Sequence, residues 1–153
     1  MRVREWEFPD ELFYDEHHQW VRFEGGTARV GLTDFGQDTR GDILYVQLPV
    51  VGTSVRAGSS VASIETGKWV GRLYTPCDGT VAAVNSALEG EPGRMNADPY
   101  GEGWIFEIEM QPGSLRPALL QGQELRAWVE DEAARYAVEE AATEPSGPYG
   151  NDG

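Results

Sequence analysis

Between residues 20 and 110 the chain sustains no helical period; its apolar side chains gather instead in seven short runs bounded by Gly, Pro, Asp or Asn. The runs fall at 20–24, 27–32, 43–48, 60–65, 70–74, 80–84 and 104–110, and they are rich in Val, Ile, Tyr, Phe and Trp. Such residues suit a pleated, half-buried surface. Turn formers separate them: Gly25-Gly26, Pro49 with Gly52, Ala57-Gly58, Thr66-Gly67, Asp78-Gly79 and the stretch from Pro99 to Gly103. Many short strands at this spacing predict a mostly β chain folded as a barrel or sandwich.

The pattern changes between the second and third runs and again beyond residue 112. Residues 33–39 (TDFGQDT) predict one or two helical turns, with Gly36 arguing against more. Residues 123–142 carry Leu125, Trp128, Val129, Ala133, Tyr136 and Ala137 at three- and four-residue spacing, the mark of an amphipathic helix with an acidic outer face. Residues 1–13 read as a charged lead-in. Residues 143–153, ending in Pro, Gly, Ser and Asp without period, are expected to be disordered. The 153 residues are 40% hydrophobic, enough for one core, and one domain over 14–142 is expected.

Charge narrows the partners. With 26 acidic residues against 12 basic ones the net charge is -14, which repels nucleic acid and anionic membrane surfaces. No apolar run approaches the roughly 20 residues needed to span a bilayer, so no membrane insertion is expected. The first ten residues, MRVREWEFPD, lack the apolar stretch of a secretory signal. The chain is expected in the cytoplasm, and its single cysteine, Cys77, suits a reducing compartment. Of the twelve basic residues, eleven are arginine and one, Lys68, is lysine. G- and C-rich coding explains the bias but leaves one lysine retained.

That lysine sits between the runs 61–65 and 70–74, within Thr66-Gly67-Lys68-Trp69. The pattern predicts a β-hairpin with Lys68 at its tip, held rigidly at its base and open to a modifying enzyme. An exposed ammonium is a poor nucleophile, so it serves better as an acylation point than as a catalyst. Taken alone, the same pattern also describes an ordinary solvated lysine on a loop.

The wider sequence resembles the H-protein family of lipoyl carriers. The resemblance rests on HQWV at 18–21, GLTDFGQ at 31–37, GDILYVQLP at 41–49, the Val51 to Gly58 run, TPCDGTVAAVN at 75–85 and NADPYGEGWIFEI at 96–108, in family order and spacing. It implies a flattened lipoyl-domain-type β-barrel, a barrel-sandwich hybrid, with a short helix and a C-terminal helix. It also implies lipoic acid in amide linkage on Lys68. Glu65 matches the acid three residues before the attachment site, by which lipoate ligases choose their lysine, and Gly67 shapes the hairpin. Gly79 matches the glycine that turns the opposing strand pair. Trp69 and His18 are the candidate contacts for the arm. Biotin carriers place Met on both sides of their lysine, and Gly67 and Trp69 argue against biotin here.

Two departures from the family pattern bear on the cargo. Glycine-cleavage members carry Glu-Ser-Val-Lys-Ala at the attachment site, where this chain reads Glu65-Thr66-Gly67-Lys68-Trp69; near Trp20, two family carboxylates are replaced by His17 and Gln19. A cationic aminomethyl cargo needs carboxylate shelter, whereas neutral or anionic sulfur does not. The resemblance therefore points first to the H-protein-like lipoate-binding proteins of heterodisulfide-reductase-like sulfur oxidation, served by that complex and by a lipoate ligase or transferase. The alternative is glycine cleavage, with glycine decarboxylase, aminomethyltransferase and dihydrolipoyl dehydrogenase as partners. A third reading is an unmodified scaffold.

Other residues add little. His17 and His18 are adjacent and, in an extended segment, face opposite ways, a poor arrangement for one metal. Cys77 reads as a small buried thiol, with exchange against the arm as the alternative. Residues 98–104 read as a fixed turn. No triad, phosphate loop or paired-carboxylate site has supporting context, so a carrier rather than an enzyme is expected.

Overall fold

In the computed structural model, which describes residues 1–114 and 118–143, all strand pairing is antiparallel. A two-stranded hairpin, β1 (Arg2–Val3) and β2 (Trp6–Glu7), opens the chain. A six-stranded sheet follows, ordered β3 (Phe13–Tyr14), β4 (Gln19–Glu24), β5 (Thr27–Leu32), β11 (Phe106–Met110), β10 (Gly79–Val84) and β7 (Ser54–Val55). A three-stranded sheet holds β6 (Ile43–Gln47), β8 (Ser60–Thr66) and β9 (Val70–Tyr74). The expected barrel is thus two facing sheets, and among the described strands no hydrogen-bonded ladder closes the circle.

Alternation explains the main core. Val21, Val30, Leu32, Phe106, Ile108 and Val81 of the large sheet pack with Ile43, Ala62, Ile64 and Leu73 of the small one, all buried. Each Val, Leu, Ile or Phe among them contributes roughly 1.5–3 kcal/mol on burial. Cys77 lies in the same core, and burial pushes its thiol up to about 11.

The sheets are joined by a side chain that acts as backbone. Gln19 is fully buried; its Nε2 donates to the Tyr74 carbonyl at 2.7 Å and its Oε1 accepts from the Tyr74 N–H at 2.8 Å. The primary amide completes a β-bridge between β4 and the end of β9 that the main chain leaves unmade. Nε2 also donates to Asp15 Oδ2 at 3.0 Å.

Four helices finish the fold. α1 (Asp34–Arg40) begins at Thr33, whose Oγ1 accepts the Gly36 N–H at 2.9 Å. Asn96 ties the C-terminal end of α1 to β6: Oδ1 accepts the Ile43 N–H at 2.9 Å and Nδ2 donates to the Gly41 carbonyl at 3.0 Å. α2 (Ala87–Gly90) and α3 (Arg94–Ala97) are single turns that bury Leu88 and Met95. They have no counterpart in the sequence reading, since four residues are too few to show a period. α4 (Gly122–Thr143) buries Leu125, Val129 and Ala133 and half-buries Trp128 and Tyr136. Ala137, read as part of that apolar stripe, is exposed. Among the described residues no helix is long and apolar enough to cross a membrane.

The lead-in is an integral part of the fold. Val3, Trp6, Phe8 and Leu12 are buried with Phe35, Trp20 and the apolar face of α4 in a second core. The charged residues that disguised it, Arg2 and Glu7, point outward and pair at 3.0 Å. Arg4 Nε donates to Glu130 of α4 at 2.7 Å. The expected disordered tail lies outside the described residues, apart from Thr143, which ends α4.

Gln19→Ala leaves a buried N–H, a buried carbonyl and a carboxylate short of partners, and each such group costs about 1–3 kcal/mol. Urea unfolding of the variant is therefore expected to show a loss of at least about 2 kcal/mol; a loss under about 0.5 kcal/mol would remove the amide bridge from the account.

Candidate functional site

The hairpin of β8 and β9 forms as the sequence predicts. Glu65 pairs with Val70, and the Thr66 N–H donates to the Trp69 carbonyl at 2.8 Å, leaving Gly67 and Lys68 as a two-residue loop. Such loops commonly need positive φ, yet neither residue adopts it, and a Cβ on Gly67 would meet nothing. Gly67 thus meets no conformational requirement of this turn. The Lys68 side chain is 70% exposed, and its Nζ lies 3.9 Å from Glu140 near the end of α4.

Beside the lysine lies a cavity of about 370 Å³ lined by Thr39 and Arg40 of α1, Lys68 and Trp69, and Tyr136, Glu139 and Glu140 of α4. Tyr136 donates from its hydroxyl to Glu140 at 2.7 Å. Arg40 lies with its guanidinium carbon 4.6 Å from the Trp69 ring centre, and burial brings its pKa down to about 10, leaving it cationic at neutral pH. Sequence reasoning missed Arg40, Tyr136, Glu139 and Glu140, because α1 and α4 approach Lys68 only through the fold.

The other predicted residues fall in three places. Glu65 is exposed on the outer face of the small sheet, flanked in register by Tyr45 and Val70, themselves 67% and 68% exposed. Gly79 opens β10 rather than forming a turn; a Cβ there would collide with the Glu109 carbonyl oxygen on β11, so close strand approach demands glycine. His18 does not line the cavity. It is held at φ 61 under α4, its ring 4.8 Å from both Phe35 and Trp128, with Nε2 2.8 Å from Glu132.

Burial, then the charges of Arg40, His17 and Arg135, push the His18 imidazole down to about 3. A neutral ring donates its Nε2–H to Glu132, whose charge is met by Arg135 at 2.9 Å. His17 and Gln19, expected to weaken the shelter of a cationic cargo, do not line the cavity either: His17 stacks on Tyr74 at 4.1 Å and Gln19 bridges the sheets. The carboxylates beside Lys68 come from α4 instead.

An exposed lysine on a rigid two-residue loop, next to a small cavity and set on two facing sheets, is the geometry of a carrier. The family model described as glycine cleavage H-protein matches residues 12–132. The chain belongs to the glycine cleavage H-protein family. A glycine cleavage system H protein from Micrococcus luteus is 52% identical over 104 residues, 67% of this chain and 81% of that protein. One from Rubrobacter xylanophilus is 44% identical over 126 residues, covering 82% of this chain and 98% of that protein. The crystal structure of a glycine cleavage system H protein from Mycobacterium marinum superposes with a TM-score of 0.68 at 31% identity, over 88% of this chain and 99% of that one. H-protein family members are lipoyl carriers without catalytic activity of their own, bearing lipoate covalently on a lysine. The sulfur-oxidation branch expected from Gly67-Lys68-Trp69 gains no support from these relatives, whose names favour the glycine-cleavage alternative.

Two outcomes test this geometry. Gly67→Ala should leave stability unchanged or raise it by up to about 1 kcal/mol, since the loop tolerates a Cβ and the unfolded chain loses freedom; a clear loss in denaturant midpoint would show a strained turn. The His18 ring binds protons less readily folded than unfolded, from 6.5 down to about 3, so its contribution to stability falls as pH drops through that window. His18→Asn, which tolerates the left-handed backbone, should show a smaller loss of unfolding free energy between pH 7 and pH 5 than the wild type. An equal or larger loss in the variant would mean the ring is charged in the folded state.

Proposed function

We propose that this protein is the H protein of a glycine cleavage system and carries its lipoyl group on Lys68. One observation carries the reading: the family's prosthetic group sits on a lysine, and the single lysine of this chain stands exposed at a hairpin tip beside a cavity. The lining suits a lipoyl arm, since the Trp69 and Tyr136 rings offer apolar surface and the cavity opens beside the amine. When bound, the group would supply a disulfide whose S–S bond is broken by the electron pair of the incoming carbon, leaving that carbon on one sulfur and a thiol on the other.

The chain's own residues account for the rest. Lys68 Nζ provides the amide nitrogen, and acylation removes its charge, ending its attraction to Glu140. Glu139 and Glu140 then remain at the cavity as carboxylates able to accept hydrogen bonds from a cationic amine. This supports aminomethyl cargo over neutral sulfur, because the shelter absent at His17 and Gln19 is available from α4. Glu65 supports ligase recognition: among the described residues its carboxylate makes no ion pair, and it projects between Tyr45 and Val70 beside the tip. The partners are a lipoate ligase or transferase, glycine decarboxylase, aminomethyltransferase and dihydrolipoyl dehydrogenase. A net charge of -14 suits fast, reversible docking to basic rims.

Lys68→Arg keeps the charge and removes the acceptor, so intact mass spectrometry after incubation with ligase, lipoate and ATP should show no lipoyl mass while the wild type gains one. Lipoylation of the Arg variant would refute Lys68 as the site. Glu65→Ala should slow labelling about tenfold or more, the effect of losing a charged contact, with an unchanged melting temperature; wild-type labelling would remove Glu65 from recognition. The lipoylated chain, mixed with glycine decarboxylase and aminomethyltransferase, should support exchange of carbon dioxide with the glycine carboxyl. A fully lipoylated chain that supports none would exclude glycine cleavage while leaving lipoyl carriage intact.

A further inference from the structure

Trp69 is the large aromatic of the attachment turn, and the fold holds its indole through two neighbours. One face of the indole meets the Arg40 guanidinium, 4.6 Å from ring centre to carbon. The ring also lies across Gly71, where a Cβ would overlap it. Gly71 is therefore glycine because the indole occupies the space of its side chain. Arg40 has its own reason to hold the ring: its Nη1 is buried without a hydrogen-bond partner, and an aromatic face is a favourable neighbour for a desolvated cation.

The grip reaches the rest of the molecule. Arg40 ends α1 and donates from Nη2 to the His17 carbonyl at 3.5 Å, while Asn96 ties the end of α1 to β6. Trp69 is also the residue whose carbonyl closes the loop on Thr66. The indole thus links a two-residue loop, otherwise joined to the fold through its own strands and the exposed Lys68–Glu140 pair, to a helix fixed in the body of the protein.

We propose that Trp69, held against Arg40 and packed over Gly71, is a positioning residue that fixes the direction in which Lys68 leaves the turn and thereby presents its amine to the lipoate-attaching enzyme. The proposal rests on the reading of Lys68 as the lipoyl site. A loop held in the presented orientation forfeits little on docking, whereas a loop free to turn is competent only part of the time and binds more weakly by that fraction. The effect belongs in KM and not in kcat, because the bound complex is the same once formed.

The experiment incubates the full-length chain with lipoate ligase, lipoate and ATP, varying the chain's concentration and reading lipoylation by intact mass. Trp69→Ala, Arg40→Met and Gly71→Ala, the last displacing the ring without removing it, should each raise KM about five- to tenfold at unchanged kcat. Trp69→Phe should stay within about twofold, a smaller ring on the same cation. Acetylation of Lys68 by a small activated ester, followed on the Lys68 peptide, should run at the wild-type rate throughout, since a small reagent needs no presented orientation. Circular dichroism and melting identify any variant that fails to fold, and Arg40→Met with Trp69→Phe decides the matter if Gly71→Ala is lost. A KM rise confined to Trp69→Ala would make the indole a direct ligase contact and overturn the clamp, as would wild-type KM in all variants or a parallel fall in the small-ester rate. A wild-type chain that gains no lipoyl mass would overturn the lipoyl site itself, and the clamp's role with it.

Discussion

Everything at the carrying end of this molecule depends on how the small sheet is held to the large one. The two sheets share a core, but apolar packing is non-directional and does not by itself set the register of one sheet on the other. Gln19 supplies direction. Its amide pairs with both backbone groups of Tyr74, the residue at which the lysine-bearing hairpin returns to the body of the fold. A carboxylate could accept the Tyr74 N–H but would set a second acceptor against the Tyr74 carbonyl. An amide satisfies both, so the residue that looked like a lost acid in the sequence is a structural joint.

From that joint the hairpin projects toward α1 and α4, which were recruited from opposite ends of the chain. α4 is held by the N-terminal hairpin through the buried Trp6, Phe8 and Val3 and through the Arg4–Glu130 pair. The first residues of the chain therefore help determine where Glu139 and Glu140 stand relative to Lys68. Acidic side chains near the amine are consistent with a cargo that carries positive charge, and Arg40 and Trp69 line the same cavity.

Much of this was legible in sequence where local rules dominate. The strands at 27–32 and 70–74 match the structure residue for residue, Gly25-Gly26 makes its two-residue connection, and the turn read over Thr66–Trp69 tightens to Gly67-Lys68. The helix read at 33–39 is present over Asp34–Arg40, with Thr33 as its N-cap. What failed did so for physical reasons. β1, β2, β3 and β7 are two residues each, too short for alternation to register. The lead-in hid its core residues between charges, and Ala137 kept the helical period at a turn where α4 has already run past the core it covers. The walls of the cavity were illegible because Arg40, Lys68 and Tyr136 lie far apart in sequence. His18 and Gln19 were legible as notable residues but not as buried ones, since a polar side chain satisfied internally looks the same in sequence as one awaiting a ligand.

The position of Cys77 has a consequence for sulfur chemistry. A chain that bears a dithiol on a tether is exposed to an intramolecular hazard, the capture of that dithiol by its own cysteine as a dead-end mixed disulfide. Here the only protein thiol is walled into the core beneath Thr75, with its ionisation pushed up to about 11. Little thiolate exists at neutral pH and no path leads to it. The polypeptide is thereby redox-silent toward its own passenger, and electrons do not leave the arm through Cys77.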